Sequence, residues 1–236
     1  MTDPKIVPVE MLPLGMLNAF LVVENGRAML VDTGLPRSAS KVKAALERHG
    51  LTLSDLRLIV VTHAHIDHAG SAEQLRALSG APILAHQDEV DYCAGKPPLL
   101  RPSGLFGRLF QKSGVIERRF EYFTPDHVMT EAETGLQDFG FDSQVLHTPG
   151  HTPGSLSVLL PDGNILAGDL AASGILLGGI ALKNRPKSPP FEEAPKQTAR
   201  SLERLLARGG KRFYLGHGGP LSAQRIRAHA AKLKWL

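Results

Sequence analysis

The sequence predicts an α/β (α+β) chain built of two β-sheets packed face to face, with helices on the outside. Two observations carry that expectation. Strand-like and helix-like runs come in two blocks of similar order, one before and one after an irregular stretch at about residues 93–125. Neither an internal repeat nor a convincing linker divides the chain, so residues 1–236 read as one domain.

In chain order, Ile6–Glu10, Gly15–Glu24 and Arg27–Asp32 read as strands, and Asn25-Gly26 suits a tight hairpin turn. The stretch from Met11 to Val23 is apolar, but Pro13, Gly15 and Asn18 interrupt it and it is too short to span a bilayer. Val31-Asp32-Thr33-Gly34 ends the third strand on a carboxylate. Such a turn is commonplace alone, but beside a metal Asp32 could accept a histidine N–H. Ser38 or Ser40 can cap a helix whose apolar face is Val42, Ala45 and Leu46 and which Gly50 ends. After the strand Leu56–Val61, a helical pattern aligns Ala69, Ala72, Leu75 and Leu78 and stops at Gly80. Pro82–Ala85 is a short strand, and His86 at its end reads as a structural histidine.

Residues 93–125 are broken by Gly95, Pro97, Pro98, Pro102, Gly104, Gly107 and Gly114, yet Leu99, Leu100, Leu105, Phe106, Leu109 and Phe110 keep them apolar. That composition argues against disorder and for a flap near an active-site mouth, or for a surface packed on the core or on a second copy in a homodimer. Strands resume with Ser143–His147, Ser155–Leu160 and Asn164–Ala167, the last closed by Gly168-Asp169. A helix follows with Pro195 in its first turn and Ala199, Leu202, Leu205 and Leu206 on its apolar side, ended by Gly209-Gly210. Arg212–Leu215 is a final strand running into Gly216-His217-Gly218, and Ala223, Ile226, Ala230 and Leu233 mark a closing helix.

The densest chemistry stands after Leu56–Val61, in Thr62-His63-Ala64-His65-Ile66-Asp67-His68. In an extended segment His63 and His65 point to the same side and can face one ion, while Asp67 and His68, beyond the strand, can face a neighbouring one. Imidazole with carboxylate suits zinc first, with iron or manganese as alternatives. His151, inside Thr148-Pro149-Gly150-His151-Thr152-Pro153-Gly154, and Asp169 both stand where a strand meets a loop.

Composition adds limits. The single Cys93 rules out an intramolecular disulfide framework, suits a reducing compartment, and reads as a small buried hydrophobe. The N-terminus lacks the charged and apolar regions of a secretion signal, so the expected location is the cytoplasm, with no membrane partner. The net charge is +4, and Arg200, Arg204, Arg208, Lys211, Arg212, Arg225, Arg227, Lys232 and Lys234 crowd the last quarter. Such a run is more often the solvated side of amphipathic helices than a nucleic-acid face.

Taken in order, Val31-Asp32-Thr33-Gly34, the His63–His68 cluster, Thr148–Gly154, Gly168-Asp169 and Gly216-His217-Gly218 resemble the motifs of the metallo-β-lactamase superfamily over nearly the whole chain. The resemblance implies an αββα sandwich of two mixed sheets with a dinuclear site on one edge. It implies that His63, His65 and His151 hold one metal, that Asp67, His68 and His217 hold the other, and that Asp169 bridges them. His147 is outside that set. A water between two zinc ions about 3.5–4 Å apart would be the nucleophile, with Asp67 orienting it and passing a proton to the leaving group.

Departures from family patterns narrow the substrate. The β-lactamases of this fold place cysteine or serine where Asp169 stands and are exported, which disfavours lactams. Hydroxyacylglutathione hydrolases add a C-terminal helical region for glutathione, whereas only Gly218 to Leu236 follow His217 here. Acyl-homoserine lactonases carry a tyrosine soon after the bridging aspartate, where this chain reads Leu170-Ala171-Ala172-Ser173. The expectation is a hydrolase of a small ester, thioester or lactone, the alternatives being a mononuclear-iron sulfur dioxygenase-like oxidoreductase or a phosphodiesterase or nuclease.

Overall fold

A computed structural model describes residues 4–235. The first sheet opens as a meander in which β1 (Lys5–Leu12), β2 (Leu17–Glu24) and β3 (Arg27–Val31) pair antiparallel. Asn25 and Gly26 close the β2–β3 hairpin with φ of 49° and 75°, the left-handed pair such a two-residue turn requires. Helix α1 (Ala39–Glu47) then crosses over to β4 (Leu56–Val60), which lies parallel to β3. Helices α2 (Ile66–Ala69) and α3 (Ala72–Ser79) lead to β5 (Ile83–His86), and α4 (Val90–Cys93) and α5 (Gly104–Lys112) lead to β6 (His127–Met129), each strand again parallel to the one before.

The second sheet continues through β7 (Glu133–Gly135), β8 (Gln144–His147), β9 (Leu156–Leu159) and β10 (Asn164–Leu166), all antiparallel neighbours. A two-stranded ribbon of β11 (Ala172–Ser173) and β12 (Pro186–Lys187) follows, which no sequence pattern foreshadows. Helix α6 (Pro195–Ala207) crosses to β13 (Arg212–Tyr214), parallel to β10, and β14 (Leu221–Ser222) leads into α7 (Ala223–Leu233).

Burial explains the layering. Both faces of each sheet are covered, so the central strands are apolar throughout rather than alternating. Along β3, Leu30 faces the cluster that includes Val42, Leu46 and Leu75 of α1 and α3, whereas Met29 and Val31 face the inter-sheet core with Val145 and Val158. On the far side Ile165 and Phe213 pack with Leu202, Leu205, Ile226 and Leu233 of α6 and α7. The result is the expected αββα sandwich, helix on sheet on sheet on helix.

Four local expectations need correction. The first block extends past the irregular stretch, because β6 pairs with β5 and completes the first sheet. The single helix expected from Ala69 to Leu78 is two, with the break at Gly70–Ser71; the restart turns Leu78 outward to 57% exposure. Ser38 makes no side-chain cap; its backbone N–H instead donates to the Ser71 hydroxyl at 2.8 Å. Leu206, aligned with the apolar side of α6, is only half-buried.

The irregular stretch is partly helical. Ile116, with Leu100, Phe110 and Phe120, packs on Ile66 and Phe191, which places the segment against the histidine turn. Cys93 is buried, and burial pushes its thiol well above the usual range. Among the described residues no helix is long and apolar enough to cross a membrane.

Candidate metal centre

Five loops converge on one edge of the sandwich because each follows the carboxyl end of a strand. Asp32 follows β3, His63–His68 follow β4, His151 follows β8, Asp169 follows β10 and His217 follows β13. The pairs β3–β4 and β10–β13 are parallel, so within each sheet their ends lie on the same side.

Two clusters result. In the first, His151 Nε2 lies 3.1 Å from His63 Nε2 and 3.2 Å from His65 Nδ1. Ligands about 2.0–2.1 Å from a tetrahedral zinc stand about 3.3 Å from each other, so the two separations from His151 already match edges of that tetrahedron. In the second, Asp67, His68 and His217 converge, with His217 Nε2 at 3.3 Å from Asp67 Oδ2. Asp169 stands between them: Oδ1 is 3.5 Å from His68 Nε2, and Oδ2 is 3.4 Å from His217 Nε2 and 3.9 Å from His151 Nε2. Among the described residues, His65 Nε2, Asp67 Oδ1, His68 Nε2, His151 Nδ1 and Asp169 Oδ1 are buried with no hydrogen-bond partner. Buried polar atoms left unpaired are costly, and divalent cations would satisfy the oxygens and the inward-facing nitrogens among them. The donor set therefore fits metal.

The surroundings aim these side chains. Asp32 accepts the His68 Nδ1–H at 2.8 Å, the Thr62 N–H at 2.8 Å and the Thr62 hydroxyl at 2.9 Å, which directs His68 Nε2 inward. The His217 Nδ1–H donates to the Met16 carbonyl at 2.6 Å, with the same effect on its Nε2. Asp32 itself has φ of 61°, an uncommon backbone for a residue with a side chain and a strain found mostly at functional sites. Gly216 is required for space, since a Cβ there would stand 2.4 Å from Asp169 Oδ1 and 2.5 Å from His68 Cε1.

Charge follows from this packing. Burial would raise the Asp67 carboxyl, but His68 and His217 outweigh it and hold the group well below the usual carboxylate range. Burial would lower His68, but Asp169 and Asp32 push it up to about 10. Burial drives His63 and His151 far down, so both are neutral and their lone pairs are free for a cation.

A profile of the metallo-β-lactamase superfamily matches residues 12–217, from the end of β1 through the last of these histidines. The chain belongs to the metallo-β-lactamase superfamily. It is 30% identical over 214 residues to the probable metallo-hydrolase YflN of Bacillus subtilis (strain 168), covering 87% of this chain and 80% of that one. It is 31% identical over 212 residues to a hydroxyacylglutathione hydrolase of Ectopseudomonas mendocina (strain ymp), covering 87% of this chain but 62% of that protein. Among solved structures, the metallo-β-lactamase family protein TTHA1429 from Thermus thermophilus superposes with a TM-score of 0.68 at 25% identity, covering 100% of this chain and 79% of that one. The BLEG-1 B3 metallo-β-lactamase shares the fold with a TM-score of 0.70 at 22% identity, covering 97% of this chain and 99% of that one. Its histidines and aspartates form groups able to hold a metal ion, and the relative YflN is named a probable metallo-hydrolase.

One functional residue escaped the sequence reading. Glu89, just past β5, is buried and accepts the Ala64 N–H at 2.8 Å, the Gly154 N–H at 3.0 Å and the Thr152 hydroxyl at 2.6 Å. It therefore ties the His63–His65 turn to the His151 turn; burial outweighs these bonds and raises it to about 7. No local pattern marks it, because its partners, two backbone N–H groups and one hydroxyl, are distant in sequence. His86, read as structural, stacks on His147 with ring centroids 3.7 Å apart and planes 12° apart, and His147 Nε2 lies 2.8 Å from the Pro153 carbonyl. Together with Asp88 they form a further close group, but stacked parallel rings aim their lone pairs side by side rather than at one ion.

Proposed function

We propose that this protein is a dinuclear metal hydrolase, with zinc in both sites, that cleaves a small ester, thioester or lactone. The observation that carries the reading is the pair of adjoining clusters, His63/His65/His151 and Asp67/His68/His217, with the Asp169 carboxylate between them. Two divalent ions held there would supply a Lewis acid for the substrate carbonyl and a water acidic enough to ionise near neutral pH.

The chain's own groups do the rest. Asp67, ionised at neutral pH and with Oδ1 free of any partner, orients the attacking water through that oxygen and carries its proton to the leaving group. Asp32 and the Met16 carbonyl keep the His68 and His217 rings in position. Ile66, in the apolar cluster with Ile116 and Phe191, covers one flank of the site and suits an apolar acyl portion.

The test is metal content of protein purified without added metal or chelator, followed by a panel of ester, thioester and lactone substrates. About two zinc ions per chain and turnover on that panel are the expected outcome. About one iron per chain, with oxygen consumed on a persulfide, would replace the reading with a dioxygenase.

A further inference from the structure

Six residues of the basic run in the last quarter separate into two groups. Arg204 and Arg208 meet Glu133 at 3.5 and 2.5 Å, Lys234 meets Glu203 at 2.6 Å, and Lys211 donates to the Asp162 carbonyl at 3.1 Å. Arg225 and Lys232 find no such partner. Two turns apart on α7, they share a face that looks onto the loop Leu182–Pro186, where Lys183 and Arg185 complete a set of four cations. These side chains line a groove of about 540 Å³ with no acidic residue in its wall. Among the described residues none of the four has a hydrogen-bonded or ion-paired partner for its charged group.

A buried imidazole stands at the same wall. His229, on the wall between Arg225 and Lys232, is buried to 4% exposure, and its Nε2, itself buried, has no hydrogen-bond partner among the described residues. Burial, with Lys232 adding to it, lowers this imidazole to about 4, so at pH 7 it is neutral. Four unneutralised cations around one concavity repel each other and focus a positive potential into it, which an anion with several oxygens relieves. The groove is larger than an inorganic diphosphate needs, and Leu182, Pro186 and Ala228 add apolar atoms to its lining.

The groove is also joined to the metal centre. The Ser173 N–H donates to the His217 carbonyl at 3.0 Å, and the next N–H, of Gly174, donates to the Arg185 carbonyl at 3.2 Å. The strand that braces one cluster residue thus braces a groove arginine.

We propose that this groove is a second ligand site that binds a diphosphate group, either free or as the diphosphate end of a nucleotide. The experiment is calorimetric titration of the metal-loaded protein with pyrophosphate and with ADP at physiological salt, repeated on the double variant Arg185→Ala/Arg225→Ala. Both residues are exposed, so the unfolding midpoint and metal content should be unchanged. Saturable binding that weakens at least tenfold in the double variant is the expected result. Tighter binding of ADP would identify a nucleotide as the source, and equal binding the free anion. Absence of saturable binding overturns the proposal, as does equal affinity in the double variant, which would put the anion on the metals. Binding of an RNA oligonucleotide without binding of ADP or pyrophosphate would assign the face to nucleic acid and overturn it too.

Discussion

Asp67 and Asp32 show how position divides roles between two carboxylates. Asp67 stands in the cluster with one oxygen unpartnered among the described residues, so its removal affects chemistry more than folding. Asp67→Asn is expected to lower turnover about 10²–10⁴-fold while the unfolding midpoint and much of the metal are retained; unchanged turnover in steady-state assays would remove Asp67 from proton transfer. Asp32 spends its oxygens on His68 and Thr62, so Asp32→Ala frees the His68 ring and should weaken metal binding about 10–100-fold in a competition titration with a chelator. His68 carries a further consequence. In the metal-free chain it is raised from 6.5 to about 10, so its stabilising contribution is complete below pH 6.5 and declines as pH rises through about 10. Metal loading at pH 7 must displace that proton. Calorimetry in buffers of different ionisation enthalpy should register the release of roughly one proton or more per chain.

At the scale of elements, the site depends on loops held against each other by groups that are not ligands. Glu89 joins the turn after β4 to the turn after β8, and Glu89→Ala would leave the Ala64 and Gly154 N–H groups buried without acceptors. The expected cost is roughly 2–4 kcal/mol in denaturant unfolding, with a smaller loss marking the clasp as dispensable. Gly216 plays the complementary part of leaving space: the loop after β13 can approach His68 and Asp169 only because it carries no side chain there. The segment containing α5 packs on Ile66 through Phe110 and Ile116, which makes the histidine turn part of a packed surface rather than a free loop.

At the scale of the molecule, the two sheets form a frame whose strand ends meet at one edge, and a metal held only by the folded arrangement would add to its stability. At a free metal concentration a hundredfold above its dissociation constant the gain is about 2.7 kcal/mol per site, or roughly 5–10 °C for a chain of this length. Chelation should therefore lower the unfolding midpoint by that order in a thermal melt, and an unchanged midpoint would mean that the clusters hold no metal in the folded protein. The same frame carries the basic groove of α7 and the loop Leu182–Pro186, linked to the His217 loop through the backbone of Ser173 and Gly174.

Much of this was legible in the chain itself. The strand before Thr62, the alternation that puts His63 and His65 on one side, the carboxylate at the end of β3 and the Gly and Pro turns around His151 are local patterns, set by backbone geometry and hydrophobic burial within a few residues. By themselves they determined the sheet-and-helix class and, through the order of motifs, the superfamily. What depends on pairing between distant segments could not be read there. β6 joins the first sheet because β5 offers it a parallel edge. Glu89 matters because two remote backbone N–H groups point at it. Arg225 and Lys232 differ from Arg204 and Arg208 only in what the fold brings beside them, a cationic loop in one case and Glu133 in the other. Sequence determines the repertoire of each segment, because torsional preference and periodicity act locally. The tertiary structure decides which charges are neutralised and which converge, because electrostatic and packing energies depend on distance in space, and chain order does not supply that distance.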